Sequence, residues 1–188
     1  MDVVIMAGGK GERMGRVEKP LIEFAGRKLL DIAVEAALES DIGPVWVATS
    51  PHTPGTTEYA IGRGYSLIVT TGRDYHRDLS DVLERVQPFL SLACDLPFVR
   101  PDHIRRVVRA YRGRSITGVL SVDLVPQELS SSIVLDDPTA SWVPVGINVV
   151  DRSGESDPFV LADPLLAYNV NSPAILRLAA RRAGEDGA

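Results

Sequence analysis

The chain has 188 residues, 20 basic against 25 acidic side chains for a net charge of −5, and 45% hydrophobic residues. That length suits one folded unit with a substantial core; the acidic balance disfavours a nucleic-acid binder, whose partner demands a basic face. The lone cysteine, Cys94, excludes an internal disulfide and a cysteine-rich zinc site, and the absence of a secretion signal or of the ~20 apolar residues of a membrane span leaves a soluble cytoplasmic protein as the expectation.

Val3, Val4, Ile5 and Met6 form a short apolar run closed by Gly8 and Gly9, the pattern of a buried first strand in a parallel sheet. Ile32, Val34, Ala36, Ala37 and Leu38, with acids between them, predict a helix over 31–39, stopped by Gly43 and Pro44. A second strand covers 45–48. Thr53 and Pro54 open a helix running to about residue 63, and a third strand covers 67–69. Leu79, Val82, Leu83 and Val86 fall at i, i+3, i+4 and i+7, one face of an amphipathic helix. The fourth strand, 89–94, takes in Cys94 as a small buried residue and ends at Asp95-Leu96-Pro97.

A helix over 102–111 follows, with Ile104, Val107 and Val108 on its buried side; Arg105, Arg106, Arg109, Arg112 and Arg114 solvate its outer face and exit. Strands are expected over 118–122, 132–135, 146–150 and 165–170. Asn171-Ser172-Pro173 opens a last helix through 178, and 184–188 reads as a frayed tail. His52, His76 and His103 have no metal-ligand spacing and read as surface or loop residues. Alternation of strand and helix over the first ~110 residues predicts an α/β fold with a mostly parallel central sheet.

The segment from Ala7 to Pro20 carries the chemistry. It follows a first parallel strand, so it sits at the carboxyl edge of the sheet, where open α/β folds bind ligands. Gly8, Gly9 and Gly11 let backbone N–H groups approach phosphates closely, and Lys10, Arg13, Arg16 and Lys19 add cations. The spacing matches neither a Walker loop nor the dinucleotide fingerprint, since Met14 stands where the latter needs its third glycine. Asp95 ends the fourth strand at the same edge; a carboxylate there suits Mg²⁺ beside phosphates, or a local turn bond. Asn171, directly before Ser172 and Pro173, suits a helix cap. Asp78 can accept from the edge of a guanine, or can support the start of a helix. Thr49, Ser50, Gly72 and Leu79 lie on the loops that would surround a base.

Ala-Gly-Gly-x-Gly-x-Arg-Met-Gly-x-x-x-Lys-Pro resembles the signature of the nucleotidyltransferases related to sugar-nucleotide pyrophosphorylases and the molybdenum-cofactor guanylyltransferases. With Ala48-Thr49-Ser50-Pro51, Asp78-Leu79, Asn148-Val149-Val150 and Asn169-Val170-Asn171-Ser172, the chain resembles the archaeal adenosylcobinamide-phosphate guanylyltransferases more than these relatives. The resemblance implies a Rossmann-like three-layer fold in one domain, 1–188, with a nucleotide-binding half of about 1–110 and an acceptor-binding half of about 111–183. It implies GTP as substrate, adenosylcobinamide phosphate as acceptor, and Mg²⁺ held by Asp95 and Asn171. Nucleotide contacts would come from Ala7, Gly8, Gly9, Lys10, Gly11, Thr49, Ser50, Gly72, Asp78 and Leu79. Arg13 would serve the β- and γ-phosphates and Lys19 the α-phosphate, while Gly146 and Asn148 would face the acceptor. Direct displacement without a covalent enzyme intermediate is the expected course. Other phosphorylated acceptors, a non-catalytic GTP-binding role and a homodimeric assembly stay open on the sequence.

Overall fold

The fully buried Val3, Val4 and Ile5 lie at the centre of a seven-stranded sheet. The computed structural model describes residues 1–15, 17–129 and 141–186, with the backbone alone for Arg13, Glu185 and Asp186. The strand expected over 132–135 falls outside them. In chain order the elements are β1 (Asp2–Met6), a hairpin of β2 (Glu23–Phe24) and β3 (Arg27–Lys28), α1 (Leu29–Glu39), β4 (Val45–Thr49), α2 (Pro54–Gly62), β5 (Ser66–Val69), α3 (Tyr75–Leu83), β6 (Phe89–Ala93), α4 (Pro101–Ala110), β7 (Ser115–Ser121), β8 (Trp142–Val150), β9 (Ser156–Val160) and α5 (Pro173–Asp186).

The strand order is β5-β4-β1-β6-β8-β7-β9. Strands β5, β4, β1 and β6 are parallel neighbours. Strand β8 runs antiparallel to both β6 and β7, and β9 is parallel to β7. The expected α/β class with a mostly parallel sheet is therefore present. The order moves outward from β1 through β4 to β5, then returns to β6 on the other side of β1. That reversal opens a crevice beyond the carboxyl ends of β1 and β6, where such sheets take ligands.

Alternation along each strand divides the sheet into two faces. Val3, Ile5, Val47, Leu90, Leu92, Ile147 and Val149 face one way and join residues of α1, α2, α4 and α5 in the larger core. Val4, Ala48, Ile68 and Phe89 face the other way, where Val82 of α3 packs on them. Helices thus lie on both faces, as a three-layer fold requires. Among the described residues, no helix is long and apolar enough to cross a membrane.

Several element expectations are corrected. Residues 165–170 are not a strand: Asp163 Oδ1 accepts from Leu165 N at 3.0 Å and Pro164 fixes the first turn of a 3₁₀ helix over Pro164–Ala167. The last helix does not stop at 178 but continues to Asp186, so the tail is helical through 186 despite Gly184. Strand β7 begins at Ser115 and gives way at Val122 to a 3₁₀ turn. Cys94 is buried, one residue past the end of β6. His103 is not a surface residue; it is 1% exposed on α4. His52 and His76 are exposed as expected.

Three features hold the crevice's loops in place. The Glu18 carboxylate accepts from the backbone N–H groups of Gly55 (3.0 Å) and Thr56 (2.6 Å) and from Thr56 Oγ1 (2.6 Å). It thereby caps α2 and compensates that helix's positive end. The Phe98 ring meets Phe24 and Tyr168 edge-on, at centroid distances of 5.4 and 5.6 Å, joining the hairpin to the segment ahead of α5. At the start of α4, Arg100 N donates to His103 Nδ1 at 3.2 Å. That places the neutral ring's proton on Nε2, 3.0 Å from Asp163 Oδ2. Arg100 Nη2 reaches the same oxygen at 2.5 Å.

Two consequences can be measured. Glu18→Ala removes the cap and three hydrogen bonds from a half-buried site, so it should lower stability by ~1–2 kcal/mol in urea unfolding; a loss below ~0.5 kcal/mol would show the cap to be dispensable. Burial holds the His103 imidazole below its ordinary pKa, against the opposing charge of Asp163. The unfolded chain therefore protonates first as pH falls below ~6.5. The stability from neutral His103 is complete above that pH and is lost as pH falls through the lower folded-state pKa. The urea midpoint should drop over this interval in the wild type and drop less in His103→Gln; identical profiles would remove His103 as the cause.

Candidate active site

The crevice is a cleft of about 630 Å³ lined by the chain from Met6 to Glu12, by Lys19 and Pro20, by Gly72, Arg73, Asp74, Tyr75 and Asp78, by Ala93, Cys94 and Asp95, and by Asn171. It gathers residues from four separate parts of the sequence. The glycine-rich loop leaves β1 with Gly8 buried and Gly9 and Lys10 exposed. Its course depends on Gly11, at φ +61°, where a side chain would collide with the Val17 carbonyl oxygen. The start of the loop is tied to the next strand, since Ser50 Oγ donates to Gly8 O at 2.7 Å. Its end is fixed by Glu18 on α2, directly before Lys19.

Lys19 Nζ donates to Asp95 Oδ2 at 3.0 Å and to Asn171 Oδ1 at 2.5 Å. These partners lie 76 and 152 residues away in sequence. The lysine and aspartate side chains are 22% and 12% exposed, so the pair is partly desolvated. The carboxyl ends of β6 and the Asn171 segment meet through the backbone as well, Val170 N donating to Asp95 O at 2.9 Å. Asn171 is not the helix cap, because Ser172 Oγ accepts from Ile175 N at 3.3 Å. Nor does Asp95 make a turn bond: Oδ2 is on Lys19, and Oδ1 is buried with no hydrogen-bond partner among the described residues.

That orphaned carboxylate oxygen and the Asn171 amide oxygen are hard donors of the kind Mg²⁺ accepts. Among the described residues there is no group of three or more His, Cys, Asp or Glu that could hold a metal. Two oxygen donors match the way Mg²⁺ is commonly held, by one or two protein ligands with the rest from phosphate and water. Burial, and then the neighbouring Asp95 charge, push the Cys94 thiol well above its ordinary range. It stays protonated at neutral pH and is a poor nucleophile.

The other predicted residues divide into two groups. Gly72 and Asp78 line the cleft. Asp78, at the start of α3, accepts from Gly72 N at 2.8 Å, so one of its oxygens shapes the loop itself. Gly72 has φ +67°, and a Cβ there would lie 2.8 Å from Ser50 Oγ, so the two loops pack too closely for any other residue. Thr49 is fully buried and does not line the cleft, the Ser50 hydroxyl is engaged by Gly8 O and His52 N, and Leu79 packs into the smaller core. Gly146 lies against Ala93 at the cleft wall, and Asn148 pairs with Ser91 across β6 and β8. The Arg13 side chain and all of Arg16 lie outside the described residues.

Sequence reasoning did not single out Glu18, Arg73, Asp74 or Tyr75. Asp74 was legible as the N-cap of α3, since its side chain accepts from Arg77 N at 2.9 Å. Nothing in the spacing of the sequence marks Tyr75.

The sequence family described as the MobA-like NTP transferase domain matches residues 3–183. Over its whole length the chain is 34% identical to the full adenosylcobinamide-phosphate guanylyltransferase of Methanocaldococcus jannaschii. It is 24% identical to the molybdenum cofactor guanylyltransferase of Polynucleobacter asymbioticus, with 93% of each chain covered. The solved structure of molybdopterin-guanine dinucleotide biosynthesis protein A from Archaeoglobus fulgidus superposes with a TM-score of 0.68 at 15% identity, covering 98% of this chain and all of that one, and shares the fold. With a match that spans nearly every described element of the sheet and all four parts of the cleft, the chain belongs to the MobA-like NTP transferase family and is a nucleotidyltransferase.

Proposed function

We propose that the chain transfers GMP from GTP to adenosylcobinamide phosphate, releasing pyrophosphate and forming adenosylcobinamide-GDP. The observation that carries the chemistry is the convergence of Lys19, Asp95 and Asn171 beside the glycine-rich loop at the point where the strand order reverses. The choice of guanine and of acceptor is supported by the full-length likeness to a protein of that activity. The nucleotide would occupy the half formed by residues 1–110, and the acceptor the side formed by residues 111–183.

A phosphate monoester has its second pKa near ~6, so at neutral pH the acceptor phosphate is already largely a dianion. One of its oxygens attacks the α-phosphorus of GTP. The bond from that phosphorus to the bridging oxygen breaks, and pyrophosphate leaves with the electron pair. No general base is needed; the obstacle is charge repulsion between anions, and cations with oriented N–H donors are the remedy. Backbone N–H groups at Gly8, Gly9 and Gly11 approach the triphosphate, Lys10 and Arg13 add positive charge at the β- and γ-phosphates, and Lys19 stabilises charge developing at the α-phosphate. Asp95, through Oδ1, and Asn171 would hold Mg²⁺, which when bound supplies Lewis-acid stabilisation to phosphate oxygens. Cys94 takes no part, and no side chain is guanylylated.

Wild-type protein should release pyrophosphate from GTP only when adenosylcobinamide phosphate is present. Lys19→Ala should lower kcat by ~10²–10³-fold, the scale for losing one transition-state charge contact, with a much smaller change in GTP Kd by calorimetry. Near-normal turnover in that variant would sink the role given to Lys19. GTP binding without pyrophosphate release, across cobinamide, molybdopterin and sugar phosphates, would mark a binding protein instead.

A further inference from the structure

Tyr75 opens α3 and lines the cleft. Its ring is 45% exposed, yet its hydroxyl is tethered. The oxygen lies 3.2 Å from Ser91 Oγ on β6. Ser91 and Asn148 are paired across the sheet, and Asn148 is paired in turn with Thr117 on β7. All three therefore project from the sheet face that carries α3.

The geometry gives Tyr75 a definite place. Its backbone belongs to the Gly72–Asp78 corner, beside the loops of β4 and β5. Its hydroxyl ends over β6, on the opposite side of β1. A phenol held at its oxygen has little rotamer freedom left, so the exposed ring presents a fixed apolar wall. That wall runs from the Gly72–Asp78 corner toward β6, on the side of β1 away from β4 and β5.

We infer that Tyr75 is a specificity-determining residue of the transfer reaction, its ring packing against the acceptor, a phosphomonoester with apolar bulk, and not against GTP. This rests on the reading of the cleft as the transfer site. Ser91 then serves the acceptor indirectly, as a positioning residue that steadies the ring.

The test compares wild type, Tyr75→Ala and Tyr75→Phe. The readouts are KM for adenosylcobinamide phosphate, kcat, and GTP Kd by calorimetry in the absence of acceptor. Tyr75→Ala should raise the acceptor KM by ~10-fold, the loss of a well-packed aromatic contact, with GTP Kd changed by less than ~2-fold. Tyr75→Phe keeps the wall and loses the tether, and should raise the acceptor KM by a smaller factor of ~3. If the alanine variant does not fold, the phenylalanine variant decides: a raised acceptor KM at constant GTP Kd supports the assignment, and no change overturns it. An unchanged acceptor KM in a folded Tyr75→Ala, or a GTP Kd weakened by the same factor, also overturns it while leaving the transfer reading intact. Absence of product with wild type overturns both.

Discussion

The ammonium of Lys19, held between a carboxylate from the end of β6 and an amide from the segment before α5, is the contact on which the cleft depends. A lysine that close to one charge and one amide oxygen, with little exposed surface, is stable only if its backbone and both partners are fixed. Each of the three is. Glu18 anchors the residue before Lys19 to the N-terminus of α2. Val170 N joins the Asn171 segment to the Asp95 carbonyl. Farther out, Arg100 and His103 hold Asp163, the residue that caps the 3₁₀ turn leading to Asn171. These ties converge on one partly buried ion pair, unlike the exposed pairs Arg27–Glu35 and Arg114–Glu155, which contribute little.

Sheet order explains why the ion pair forms where it does. Because β6 returns beside β1, the ends of β1 and β6 are adjacent, and the loops leaving them must diverge. The loop after β1 carries cations and glycines; the loop after β6 begins with Asp95. Divergence leaves the gap, and opposite charges on its two sides allow Lys19 to span it. On the face above, α3 is the one helix contributing to the smaller core among the described residues, and its N-terminal residues Tyr75 and Asp78 reach the cleft.

Local patterns carried most of the architecture into the sequence. The apolar runs of β1, β4, β5 and β6 and the amphipathic helices between them obey simple periodicities, so their class and order were legible. The second half was harder. Strand β9, Ser-Asp-Pro-Phe-Val, carries a proline and few apolar residues because it is an edge strand, and nothing local announces it. Residues 165–170 look like a strand by composition, yet Asp163 and Pro164 turn the chain into a 3₁₀ helix. His103 was misplaced because its burial depends on Asp163, 60 residues away, a partner that no window of sequence reveals. In the site, the glycine-rich loop, Lys19 and Asp95 were legible from motif and position. Glu18 and Tyr75 were not, since both act through contacts with distant elements.

The distribution of unsatisfied polar atoms carries the same logic one step further. Among the described residues, the buried side-chain oxygens and nitrogens without a hydrogen bond are Thr49 Oγ1, Asp95 Oδ1, Asn148 Oδ1 and Asn169 Oδ1. Each such atom costs about 1–3 kcal/mol if it stays unpaired, and native proteins keep few of them. Asp95 lines the cleft, Asn169 lies two residues before Asn171, Asn148 sits opposite Ser91 across β6 and β8, and Thr49 ends β4 directly before Ser50, which braces the glycine-rich loop. Of the four atoms, Asp95 Oδ1 alone belongs to a residue that lines the cleft, so it is the acceptor that a hydrogen-bond donor or a cation entering the cleft would meet unpaired.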